Sequence, residues 1–328
     1  MIAGMSSRRA LVTGIAGQDG SLLAELLLGK GYEVAGIVRP GATGPFPNLA
    51  AVQGRVELLE VDLLDEHQLG AAIAAFAPDE IYNLAAPSFV PRSWDEPVAT
   101  AEFAAVGATA LLEAVRRHRP EARAYQASSS EIFGEPRETP QTEQTPLSPL
   151  TPYGVAKAYA HFIVRSYRVR YGLHASSGIL YNHESPRRPL DFLPRKVAAG
   201  AAAIKLGLQD ELVLGDLDAR RDWSYAGDSV QAMWLMLQQD EPDDYVIASG
   251  VLHSVRDLVA AAFAHVGLDW QQHVRVDPAF LRGKAELHNL VGDASKARRQ
   301  LGWRPEVGFE QLVQLLVAAD LERLRSVS

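Results

Sequence analysis

The chain of 328 residues contains no cysteine. Disulfides, thiol nucleophiles and Cys-based metal centres are excluded, and a reducing cytoplasm is the expected setting. Basic residues are in deficit as well. Lys and Arg number 32 against 40 Asp and Glu, and the net charge of −8 argues against general nucleic-acid binding. Apolar runs stay short of the roughly 18–20 residues a membrane span needs, so no membrane association is expected. Residues Met1 to Arg8 lack the apolar core of a secretory signal. The nine histidines show no ligand spacing such as H-E-x-x-H, and no metal is expected. No internal repeat is present. What remains, 47% hydrophobic and 22% charged, is the composition of a globular chain long enough for two domains.

The short apolar run Arg9 to Thr13 reads as a buried strand. It enters Gly14-Ile15-Ala16-Gly17-Gln18-Asp19-Gly20 and then a helical pattern stopped by Gly29 and Gly31. Strand, glycine turn and helix start bring backbone N–H groups and the helix dipole to a pyrophosphate. A bland glycine turn is the rival reading. The second strand, Tyr32 to Val38, ends in Arg39 where an NAD site would place a carboxylate for the ribose 2′-OH, so NADP is expected, against a merely solvated arginine. Asp62, with Leu63 beside it, follows a third strand and suits the adenine. Small residues after a fourth strand, Leu84 to Ala86, allow close approach of a cofactor.

Strands near 9–13, 32–38, 56–61, 79–84, 122–127 and 174–180, with helices between, predict an α/β fold built on a doubly wound parallel sheet. A helix at 228–238 and a strand at 244–248 are expected to return to it. The expected division is 1–180 plus about 225–250 as a cofactor domain, and about 181–224 plus 251–328 as a smaller, mostly helical substrate domain. Residues Pro136 to Pro152 read as a loop over the site that gates it.

Ser128-Ser129-Ser130-Glu131 precedes Tyr153-Gly154-Val155-Ala156-Lys157. A Tyr and a Lys four apart share one helix face, which predicts an ammonium that lowers the phenol's pKa. Redox at a carbinol needs only Tyr153, Lys157 and Ser129. Glu131 adds a second acid/base and points to chemistry at a neighbouring carbon, unless it simply pairs with Arg137 or Arg123.

These residues lie within longer matches: Val12-Thr-Gly-Ile-Ala-Gly-Gln-Asp-Gly-Ser21, Tyr82-Asn-Leu-Ala-Ala86, Tyr125-Gln-Ala-Ser-Ser-Ser-Glu-Ile-Phe-Gly134, Pro152-Tyr-Gly-Val-Ala-Lys157, Asn182-His-Glu-Ser-Pro-Arg-Arg188 and Leu217-Asp-Ala-Arg-Arg-Asp-Trp223. Through them the chain resembles the GDP-mannose 4,6-dehydratases, a branch of the extended short-chain dehydrogenase/reductases with a Rossmann-type fold. The resemblance implies C4 oxidation by Tyr153 and NADP⁺, removal of the C5 proton by Glu131, loss of water from C6, and return of hydride to C6. It also places His183 and Arg188 near the cofactor, and Ser88, Asn182, Lys196, Arg221, Arg282 and Glu286 on the nucleotide-sugar. A homodimer or homotetramer follows from it, paired through the stripes Ala158, Phe162, Ile163, Tyr167 and Phe103, Val106, Ala110, Leu111.

Rival readings stand beside these roles. Arg187 and Arg188 could form a solvated basic loop, and Arg220 or Arg221 could pair with Asp216, Asp218 or Asp222. The chain departs from the family at Pro87, in the short loop after Arg39, at Pro189-Leu190 and in Phe280 to Leu290. All lie toward the substrate end or the cofactor's 2′-phosphate. A 4-keto-reductase or 4-epimerase of nucleotide sugars shares the fold, Tyr153 and Lys157. A non-catalytic NADP-binding regulator would typically have lost the Tyr or the Lys.

Overall fold

The computed structural model describes residues 7–280 and 290–326. Seven strands form one all-parallel sheet: β1 (Arg9–Thr13), β2 (Glu33–Val38), β3 (Glu57–Glu60), β4 (Glu80–Asn83), β5 (Arg123–Ser129), β6 (Ala175–Leu180) and β10 (Asp244–Ile247). Their spatial order is β10-β6-β5-β4-β1-β2-β3, so the chain winds outward from β1 in both directions. A parallel strand must be followed by a crossover, and helices supply it on both faces. One face carries α1 (Gln18–Gly29), α8 (Ala226–Met236) and α10 (Ser295–Leu301), packed through Leu23, Leu27, Met233, Met236 and Leu301 onto Val12, Tyr82 and Tyr125. The other carries α2 (Glu66–Phe76) and α5 (Gly107–His118), through Leu69, Ile73, Leu111 and Val115 onto Leu11, Ile37 and Ile81. Helix α6 (Pro152–Tyr171) lies beside α5, with Val164 and Tyr167 against Ala124 and Ala175.

Local signals set α6 closely. Thr151 caps it by accepting from Gly154 N at 2.9 Å, Pro152 takes the first turn, and Gly172 ends it at φ 68°. The doubly wound sheet and the return of β10 beside β6 agree with the sequence reading.

The C-terminal part is mostly helical, as expected, but it also carries a small sheet that the sequence reading did not give. A three-stranded sheet joins β7 (Asn182–Glu184), β9 (Arg220–Tyr225) and β11 (Leu252–Ser254), with β9 between the other two. Two further strands pair, β8 (Leu212–Leu214) with β12 (Val274–Val276). A second core forms here from α7 (Leu193–Lys205), α9 (Val255–His265) and α11 (Phe309–Arg325), centred on Val197, Ala201, Trp223, Leu258, Phe263, Leu312 and Leu316.

Two further expectations need correction. The helical run Pro97–His118 is long and apolar enough to cross a membrane by length and composition, contrary to the reading that no stretch is. Just over half (56%) of its 18-residue apolar window is buried against neighbouring elements, as a core helix would be. The proline-rich loop does not gate the cleft. It is fixed along the far edge of the sheet, where buried Gln141 exchanges backbone bonds with Val291 (2.9 Å) and Asp293 (2.8 Å) and accepts from Tyr181 Oη at 2.8 Å. Glu143 further accepts from Val246 N on the edge strand β10, at 2.8 Å.

Candidate active site

A cleft of about 1650 Å³ opens at the C-terminal ends of the parallel strands, between the sheet and the second core. Ligands gather there in open α/β sheets because loops and helix N-termini converge at the point where strand order reverses. Here that point lies between β1 and β4.

The glycine turn forms its floor. Gly14 has φ 69°, and a Cβ on it would meet Ala85 backbone atoms at 3.0 Å. A Cβ on Gly20 would lie 2.4 Å from Gly14 O and 2.6 Å from Ile15 Cα, so only glycine lets α1 start this close to β1. Gly17 is the N-cap residue, and no side chain caps the helix, which leaves the first N–H groups facing the cleft. Side chains tie the neighbouring strand ends together. Thr13 Oγ1 donates to Asn83 Oδ1 (2.7 Å) and accepts from Leu84 N and Ala85 N, while Asn83 donates to Gln126 (2.8 Å). These residues fit a dinucleotide pyrophosphate. Arg39, Asp62, Leu63, Leu84 and Ala86 all line the same cleft, as does Phe46, which the sequence reading missed.

Asp19 and His183 are joined at 2.8 Å, and His183 Nδ1 lies 2.7 Å from Tyr181 O. Burial works against the Asp19 carboxylate, but His183, Arg188 and Gln18 together hold the group at about 2. Burial likewise disfavours the imidazolium, yet Asp19 leaves the His183 pKa raised. Gln18 turns its side chain away from the cleft floor, donating to His183 O and accepting from Ser185 Oγ at 2.9 Å. The basic pair is not a solvated loop. Arg187 reaches Ser21 and Glu25 on α1, whereas Arg188 lines the cleft beside buried Glu184 (3.3 Å) with its guanidinium 3.7 Å above the Phe192 ring. Phe192 meets Phe89 edge-on at 5.4 Å, so an aromatic pair spans the two sides of the cleft. Phe89 and Phe192 sit in loops without periodicity, and no sequence signal marks them.

Ser129, Glu131, Tyr153 and Lys157 come together at the end of β5. Lys157 Nζ donates to Ala127 O at 2.9 Å and lies 5.7 Å from the Tyr153 ring centre. Burial pushes the Tyr153 phenol up to about 12; the Ser129 hydrogen bond opposes the rise and the Glu131 charge adds to it. The phenol is thus raised, contrary to the expectation that Lys157 lowers it. Burial also lowers Lys157 to about 8. Arg123 does not meet Glu131, since it donates to the carbonyls of Leu237 and Gln239.

At the other end Ser88, Asn182, Lys196 and Arg221 line the cleft, with Lys196 Nζ donating to Val213 O (2.9 Å) and Arg221 Nη1 to Arg220 O (2.6 Å). Asp222, expected as a surface partner of the arginines, is fully buried. It accepts from Ser249 N and Oγ, Gly250 N and Gly292 N, and so joins β9 to two loops. Asp218 pairs with Arg256 instead. Arg282 and Glu286 lie outside the described residues.

A doubly wound sheet with this glycine turn and a Ser/Tyr/Lys cluster at the strand ends defines an extended short-chain dehydrogenase/reductase. Solved structures agree: the dTDP-glucose 4,6-dehydratase DesIV from Streptomyces venezuelae, solved with NAD bound, has TM-score 0.86 and 27% identity over 97% of this chain and 98% of its own. A UDP-glucose 4-epimerase from Thermus thermophilus, in complex with NAD, has TM-score 0.82 and 30% identity over 95% and 98%. The sequence model of the family described as GDP-mannose 4,6 dehydratase matches residues 11–316. GDP-mannose 4,6 dehydratase 1 of Arabidopsis thaliana is 47% identical over 95% of this chain and 90% of its own length. The chain belongs to the GDP-mannose 4,6-dehydratase family.

Proposed function

We propose that the protein converts GDP-mannose to GDP-4-keto-6-deoxy-mannose with NADP. The observation that carries the reading is Glu131 in the same pocket as Ser129, Tyr153 and Lys157. A second acid/base beside a carbinol redox centre is what elimination at the adjacent carbons requires. Some keto-reductases carry a comparable Glu, so membership of the dehydratase family adds the weight that Glu131 alone does not.

Tyr153 takes the C4 hydroxyl proton, with Ser129 hydrogen-bonded to the C4 oxygen. The 4-ketone acidifies C5; Glu131 removes the C5 proton and passes it to the C6 hydroxyl, which leaves as water. The proton taken at C4 balances the one returned to C5 when C6 receives hydride. NADP held by these residues would supply the redox chemistry, as hydride acceptor at C4 and donor at C6, and the positive charge of its oxidised ring would offset the burial that raises Tyr153. Lys157, anchored on Ala127 O, adds positive charge under the phenol. Gly14, Gly17, Gln18, Asp19 and Gly20 hold the pyrophosphate end through backbone groups, with His183 and Arg188 beside them. Arg221 is assigned to the substrate diphosphate because a guanidinium suits bidentate phosphate contacts. Two cores on either side of the cleft support a division into a cofactor unit and a nucleotide-sugar unit, with residues 294–303, assigned to the second unit, packing on the sheet instead.

The NADP preference rests on Arg39, exposed at the end of β2 and lining the cleft. Arg39→Asp should weaken NADP and narrow or invert its advantage over NAD. Calorimetric titration of both cofactors decides the point, and an unchanged affinity ratio removes Arg39 from the site. The substrate is tested by incubating purified protein with GDP-, UDP-, CDP- and dTDP-sugars and reading mass. GDP-mannose should lose one water without added NADPH; loss from another sugar alone would contradict the base and sugar assigned.

A dimer is the expected minimum assembly, and its face differs from the stripes first expected. Ala158 and Tyr167 are buried in the chain's own core, as are Ala110 and Leu111. The exposed stripe on α6 is Val155, Tyr159, Phe162 and Val169, beside Val98 and Val106 on the neighbouring helical run. Apolar surface of this extent at helical spacing suits a symmetric four-helix contact. Light scattering at micromolar concentration should give at least twice the 35.6 kDa of one chain, and a monomer mass would contradict it.

A further inference from the structure

We infer that Asp320, on the C-terminal helix α11, is a positioning residue for the cleft, acting through Arg195 and Arg323 on the loop that presents Arg188. The inference rests on the proposed role of Arg188 at the cofactor. Helix α11 packs through Leu312, Val313, Leu316 and Val317 against Val197, Ala198 and Ala201 of α7. One turn further on, Asp320 is 3% exposed and takes a guanidinium on each oxygen, Arg195 on Oδ2 and Arg323 on Oδ1. Each guanidinium keeps a donor for the loop. Arg195 Nε donates to Arg188 O at 3.1 Å, and Arg323 Nη2 donates to Pro186 O at 3.2 Å.

A buried ion cluster is weak evidence for stability, since well-packed apolar residues often replace one without loss. What apolar residues cannot do is donate to the two carbonyls. The loop's other ties run to the opposite side: Ser185 to Gln18, and Arg187 to Ser21 on α1. The Asp320 cluster therefore fixes the loop from the second core while α1 fixes it from the sheet. Between them Arg188 is set against Glu184 and Phe192. Neither Asp320, Arg195 nor Arg323 lines the cleft, so any effect on ligands passes through the loop.

Arg323 is half exposed, and Arg323→Ala leaves the Arg195–Asp320 pair in place. NADP affinity measured by calorimetry in wild type, Arg323→Ala, Arg188→Ala and the double variant gives a thermodynamic cycle. Arg323→Ala should weaken NADP by about 3- to 10-fold, the worth of one hydrogen bond. In the Arg188→Ala background it should add less than about twofold, because distant residues are additive unless coupled. Equal losses in both backgrounds would mean general softening and overturn the inference, as would an unchanged affinity in Arg323→Ala. If Arg188→Ala alone leaves NADP affinity unchanged, the cofactor role of Arg188 fails and the inference with it. Should the alanine variant not yield folded protein, Arg323→Gln completes the same cycle.

Discussion

Glu131→Gln should lower turnover of GDP-mannose by about 10²–10⁴, the usual cost of losing a general base. The amide keeps the side chain's shape but cannot take the C5 proton. NADP and GDP-sugar affinity should therefore stay near wild type, as calorimetry would show. In the proposed mechanism C4 oxidation precedes the step assigned to Glu131. The variant should accordingly build up reduced nicotinamide on mixing with substrate, seen as a rise in its absorbance without loss of water. Retention of more than about a tenth of the activity would remove Glu131 from the role.

Tyr153→Phe should fall by a similar 10²–10⁴, but at the earlier step. Burial holds the phenol at about 12, so its usefulness depends on Ser129 and on positive charge brought into the pocket. Without the hydroxyl, the C4 proton has no acceptor in line with hydride transfer. Mixing this variant with substrate should give neither dehydrated product nor reduced nicotinamide. The contrast with Glu131→Gln separates the two steps. A nicotinamide signal from Tyr153→Phe equal to that of Glu131→Gln would place the C4 base elsewhere.

Where a local rule acts, sequence and structure coincide. Thr151, Pro152 and Gly172 are cap signals, and α6 begins and ends where they stand. The glycine turn is legible for the same reason, since Gly14 and Gly20 answer to contacts within a few residues and one neighbouring strand. The three-stranded sheet was not legible. Strands β7 and β11 have three residues each, and with β9 they carry Glu184, Arg220, Arg221, Asp222 and His253, which mask any period of two. Their pairing depends on partners far along the chain. Buried Asp222 shows the same limit: four donors from residues 249, 250 and 292 make it a structural clasp, and nothing near it in sequence says so.

The expected apolar stripes hold only in part: Phe162 and Val106 are exposed, whereas Ala158, Tyr167, Ala110 and Leu111 are buried in the chain's own core, because α6 is apolar on several sides. Periodicity finds such faces but does not say which of them meets the sheet. The gate expected at residues 136–152 rested on proline content alone, and the buried hydrogen bonds of Gln141 were invisible to it. The proposed catalytic cluster was legible in residue type. The balance of charge on Tyr153 was not, since it depends on burial, which sequence does not give.

The central claim is that one cofactor is reduced and oxidised again within a single turnover. GDP-mannose carrying deuterium at C4 tests it most directly, with mass and position of label read in the product. The account predicts one water lost, deuterium at C6, and no label in an added pool of free NADPH. Deuterium in the free pool, or product formed only when NADPH is supplied, would contradict it.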